Sequence, residues 1–193
     1  MAVRGHNNAT APGGVAVAVE AVTHHASGRA IYAYADGGAN AWGLWVEAGK
    51  AHFAGAATFH GGHADGDLAE NRPARGGEAG DVVVIGPEGV LVKGSRPQDS
   101  AVAGIISTRP TMSVGGLEAG GNAAPLALVG VVPCKVDATD RPIKPGDLLV
   151  SASTPGHAMR APNDHPKAGT VIGKALEALE SGKGVIQVLV TLR

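Results

Sequence analysis

GGHADGDLAE (61–70) separates two textures of sequence, and the reading of the fold turns on it. Upstream the chain is rich in Gly and Ala. Downstream come short runs of β-branched residues bounded by turn signals such as Gly86-Pro87-Glu88-Gly89 and Lys144-Pro145-Gly146-Asp147. The stretch itself joins flexible glycines to two carboxylates, Asp67 and Glu70, three positions apart. It reads as the seam between a fibrous stem and a compact head.

Working outward from the seam, residues 1–12 are polar and aperiodic, a flexible leader. Gly13, Gly28 and Gly43 then recur at an interval of 15, each followed by a β-like run such as Val15-Ala16-Val17 or Ala30-Ile31-Tyr32. Short strands between Gly turns suit a short β-solenoid or intertwined β-helix, so residues 13–65 are expected to form a repetitive β stem. An ordinary meander with coincidental spacing is the alternative. Past the seam, strands are expected at 81–85, 90–92, 102–107, 125–136, 148–150, 170–179 and 185–192. Residues 174–180 have helical composition, but Gly173 and Gly182 leave too little length for a stable helix. The whole chain is therefore read as all-β, with residues 66–193 forming a barrel or sandwich head.

Composition points to self-association. Apolar residues make up 44% of the chain, but aromatics only 3%, and Gly accounts for 30 of 193 positions. Burying a large aliphatic side chain contributes about 1.5–3 kcal/mol, and Ala far less. Such a chain gains by sharing its core with copies of itself, and a homo-oligomer is expected over a monomer with a small core.

The net charge of −1, from 16 basic and 17 acidic residues, argues against nucleic-acid or anionic-membrane partners. Cys134, the single cysteine, excludes an intrachain disulfide framework and a Cys-based zinc cage. No apolar run is long enough for a membrane span, and the first residues carry no signal core. The expected setting is the cytoplasm of a bacterial host, with export only as part of a larger particle. His60, His63 and Asp65 lack a third firm ligand at a diagnostic spacing, so no metal or other cofactor is expected. Trp42 and Trp45, beside Tyr32 and Tyr34, offer a stacking patch for a surface glycan, although they equally serve as packing units in a small-residue stem.

Six segments together resemble one known module. They are GDLAE (66–70), GDVVVIGPEG (80–89), VAGIIST (102–108), PLALVGVVPCKVDA (125–138), PIKPGDLLVSASTPGHAMRA (142–161) and GTVIGKALEALESGKGVIQVLV (169–190). They are similar to the C-terminal intramolecular-chaperone, self-processing domain of phage neck-appendage and tail-spike proteins. The resemblance implies a trimeric β-structure that helps the stem fold and register. It also implies a cut before the Asp of a Ser-Asp-x-x-Glu motif. Asp67 and Glu70 supply the two carboxylates, Gly66 stands where that motif has Ser, and the scissile bond would be Gly66–Asp67.

The chemistry has a physical rationale if residues 66–70 take a helical turn. Carboxylates three apart then share a face. They push each other's pKa values apart, leaving one as base and one as acid. Asp67 adjoins the scissile carbonyl, which gives it a high effective concentration. The competing reading has Asp67 capping a turn and Glu70 solvated or paired with Arg72 or Arg75. The functional expectation is a structural, virion-associated trimeric appendage, with other appendage proteins as further partners. The alternatives are an autoprotease acting once in cis and a carbohydrate- or receptor-binding surface module.

Overall fold

A computed structural model describes residues 66–115, 122–163 and 166–190. They all belong to the unit Ala57–Arg193. The leader, the stem, Trp42, Trp45, His60, His63 and Asp65 lie outside the described residues. Those described form ten strands and a single 3-10 turn, Pro87–Gly89, so the head is all-β.

The strands are β1 (Asp67–Pro73), β2 (Val82–Ile85), β3 (Leu91–Lys93), β4 (Val102–Ile105) and β5 (Met112–Val114). They continue with β6 (Ala123–Asp137), β7 (Leu148–Ser151), β8 (Ala158–Arg160), β9 (Val171–Ala175) and β10 (Lys183–Val190). One sheet runs β10-β9-β7-β8-β6-β1-β5, and β10 also pairs with β6. That extra pairing closes β6, β8, β7, β9 and β10 into a five-stranded barrel, leaving β1 and β5 as a flap on the first half of β6. A second sheet, β3-β2-β4, forms an antiparallel layer of its own.

The 15-residue β6 makes this arrangement possible, because its two halves serve different partners. Residues 123–130 pair with β1, and residues 130–137 pair with β10. In the barrel half, strict alternation sends Val132, Cys134 and Val136 inward, opposite Ile186 and Val188 of β10. Leu149, Ala158 and Ile172 from β7, β8 and β9 complete that core. These aliphatic side chains form the buried core of the closure.

The second sheet is tied down by a separate cluster, in which Val83, Leu91, Ala103 and Ile106 meet Ala74, Ala124 and Leu126. Isolated bridges Ala74↔Leu91 and Ile106↔Leu126 stitch the two sheets together. The expected 90–92 run pairs back on β2 as an antiparallel hairpin through the Pro87–Gly89 turn.

Two expectations need correction. The 170–179 strand ends at Ala175, after which Leu179 makes only a single bridge to Ile143, and residues 176–180 form no helix either. The segment after the seam is not a helical turn but strand β1, held between β5 on one side and β6 on the other. Strands β5 and β8 were not expected from the sequence.

Candidate functional site around Gly66 and Asp67

Strand β1 starts where cleavage was expected. Asp67 lies opposite Gly130 of β6, Leu68 opposite Val129, and Glu70 opposite Leu126. Side chains alternate across a strand, so positions 67 and 70 point to opposite faces. Burial follows that rule. Asp67 is 5% exposed and Ala69 fully buried, whereas Glu70 is partly exposed and pairs with Arg72 at 3.4 Å. Arg75 pairs instead with Glu88, at 3.2 Å. The extended backbone thus removes the premise on which the two carboxylates would share a proton.

The Gly66–Asp67 peptide is nonetheless tied into the sheet on both sides. The Gly66 carbonyl accepts from the Val131 N–H at 3.4 Å, and the Asp67 carbonyl from the Thr111 N–H at 3.0 Å. Gly130, at φ +123°, leaves the space in which Gly66 O and the Asp67 backbone lie, and a Cβ there would collide with both. A residue at position 130 with any side chain would lift the start of β1 off the sheet.

Two polar constellations escaped sequence reasoning because their members are far apart in the chain. The first surrounds Asp81, 1% exposed, just before β2. Lys135 Nζ donates to Asp81 Oδ1 at 2.7 Å and to Glu78 Oε2 at 3.0 Å. Lys93 Nζ lies 3.0 Å from Asp81 Oδ2, which also accepts from the Glu78 N–H at 2.8 Å. Burial raises the pKa of Asp81, but the hydrogen bonds from Lys135, the Glu78 N–H and Lys93 outweigh it and hold it below the ordinary value. These charges pin the β2 end to β6 and the β3 end, and Gly156 packs so closely on Asp81 that a Cβ would sit 2.7 Å from Oδ1.

The second is a cavity of about 280 Å³ on the barrel rim. Asp137, Asp140, Arg141, Arg160, Met159 and Pro97 line it. Asp137 closes β6 and accepts from the Thr139 N–H at 2.9 Å and from the Thr154 hydroxyl. The Thr139 side chain, the Thr154 hydroxyl and the Thr139 N–H hold its carboxyl down to about 2. Arg160 Nε pairs with Asp147 Oδ2 at 3.2 Å, and Arg141 donates to the Pro162 carbonyl at 2.6 Å. The barrel interior holds no comparable chemistry. Cys134 there is fully buried, and burial pushes its thiol up to about 12.

No family model matches the chain, and no curated protein does. Among solved structures, the head fibre gp8.5 N base of bacteriophage phi29 aligns with 66% of this chain and 91% of its own. Identity over the alignment is 15% and the TM-score is 0.35. Among the described residues, no helix is long and apolar enough to cross a membrane.

Proposed function

We propose that this chain is a structural subunit of a phage appendage whose C-terminal head associates with copies of itself, as a trimer. The observation that carries the self-association is an apolar face on the flap. Met112 and Leu68 lie in register across β5 and β1, and Leu68 in register with Val129 of β6. Val114 follows two residues after Met112 on the same face. Val129 is 56% exposed and Val114 42%. The apolar row Met112–Leu68–Val129 beside an edge strand, β5, bordered by Glu70 opposite Val114, has the chemistry of an interface core with a polar rim. The six-segment resemblance supplies the trimeric, phage-appendage part of the reading. Light-scattering molar mass of the purified chain tests it. Three times the chain mass is expected at micromolar concentration, and a well-folded single-copy species would overturn it.

Self-cleavage at Gly66–Asp67 is a second reading, favoured by one observation. The carbonyl that would be attacked accepts a long, 3.4 Å bond from the Val131 N–H, with the buried carboxylate of Asp67 on the adjoining residue. In this arrangement Asp67 acts without Glu70, which faces away. Intact mass spectrometry decides it. Fragments of 1–66 and 67–193 that vanish in Asp67→Ala support cutting, and an uncut chain that Asp67→Ala leaves unchanged rules it out.

A further inference from the structure

We infer that the barrel-rim cavity is a binding site for a carboxylated sugar, a hexuronate-like unit. Its volume of about 280 Å³ lies just below the roughly 300–1,000 Å³ of drug-sized sites, so it admits one ring-sized unit. Two guanidiniums line it, and a guanidinium has five donors in a planar fork. Arg160 engages Asp147 through Nε, and Arg141 engages the Pro162 carbonyl through one terminal nitrogen. Each therefore keeps further N–H groups, and the fork matches a carboxylate in two parallel bonds.

The carboxylates in the lining narrow the ligand. Asp137, held ionised down to about 2, and the exposed carboxyl of Asp140 offer oxygens suited to hydroxyl donors. Asp137 and Asp140 offset the guanidiniums of the lining, and Asp147 beside it already pairs with Arg160, so a dianionic phosphate is disfavoured. A monoanion carrying hydroxyls would draw its charged contact from Arg141, whose partner is the neutral Pro162 carbonyl. Met159 and Pro97 offer C–H surface to the face of a ring.

All the Trp, Tyr and Phe residues of the chain lie between Tyr32 and Phe59, so the head has none of them. That disfavours base recognition by stacking and removes the usual source of affinity for a neutral hexose. What is left is the charge-assisted bond to a carboxylate, with hydroxyls read by Asp137 and Asp140. The site is independent of the proposed self-association, because its residues lie on β6, β8 and adjoining loops and not on the β5–β1 flap.

Saturation-transfer NMR on the full chain with sodium glucuronate, glucose and sodium acetate tests the inference. Saturation of glucuronate is expected, at least tenfold tighter than glucose or acetate, and weakened at least tenfold by Arg141→Gln and by Asp140→Asn. Equal binding of acetate would overturn the sugar assignment, and absence of glucuronate binding would overturn the site. Binding that survives both variants but is lost in Trp45→Ala would place the ligand elsewhere and also overturn it. Should Arg141→Gln lower the melting temperature, Ser153→Trp decides in its place. It fills the cavity from an exposed position, and retained binding would refute the site.

Discussion

Gly130 and Asp67 face each other across the β1–β6 ladder, with the Gly66 carbonyl and the Asp67 backbone occupying the space a side chain at 130 would fill. Two separate costs attach to Gly130→Ala. The positive φ of +123° suits glycine alone, and the new Cβ overlaps backbone rather than a side chain that could swing away. Gly130→Ala is expected to destabilise the head by about 2–4 kcal/mol. A lower denaturation midpoint with an unchanged slope would show it. A neutral result would mean that β1 does not seat on β6 as described.

The residues explain which parts of this fold could be read in advance. Strands β2, β4, β6, β7, β9 and β10 announce themselves through Val and Ile between turn signals, as in Val82-Val83-Val84-Ile85. Strands β1, β5 and β8 do not, since DLAENRP, MSV and AMR hold few β-branched residues. They become strands because a neighbour offers an open ladder, which is a tertiary cause. Barrel closure was hidden for a similar reason. Nothing local in β6 says that its two halves take different partners. At the seam the spacing of Asp67 and Glu70 was legible, but its meaning depended on backbone conformation. A period of two separates what a period near 3.6 would join. The Asp81 cluster and the rim cavity join residues tens of positions apart, and no local signal marks them.

Lys135 is expected to matter more for stability than its place in a half-exposed strand position suggests. It bridges Glu78 and the buried Asp81. Lys135→Met keeps the stem of the side chain but leaves Asp81 with only Lys93 as a charged partner. Removing one member of a buried pair costs about 3–5 kcal/mol, and the remaining lysine should hold the loss to about 2–3 kcal/mol. Chemical denaturation of the single variant and of Lys135→Met with Asp81→Asn measures the coupling. The double variant should recover part of the loss, and simple additivity would show that the pair does not interact.

Acid should weaken the head through Asp137 and Asp81 in the same direction. Each has a folded pKa below its ordinary value, and for Asp137 the values are about 2 against 3.8. A depressed carboxylate contributes stability that is complete above its unfolded pKa and disappears as pH falls through the folded one. The melting temperature is therefore expected to hold steady above about pH 4 and to fall between about pH 4 and 2. Thr154→Val removes a donor to Asp137 and should raise its pKa, shrinking its share of that fall. A fall that begins well above pH 5 would point to a histidine instead.

Val129 offers the sharpest test of association, because exposed side chains can be changed without disturbing the core. It is 56% exposed, its strand neighbour Leu68 is half-buried, and neither belongs to the barrel interior. Val129→Glu places a charge at the exposed end of the apolar row formed with Leu68 and Met112. In a folded monomer the change costs little, since surface substitutions usually lie within about 0.5 kcal/mol. In an assembly that buries this row, the carboxylate is desolvated without a partner, which costs several kcal/mol per subunit. Light scattering should then report one chain mass for the variant, with a circular dichroism spectrum like that of the parent. An oligomer that persists unchanged would shift the interface to another exposed apolar pair, Val185 and Leu176, at 60% and 44% exposure.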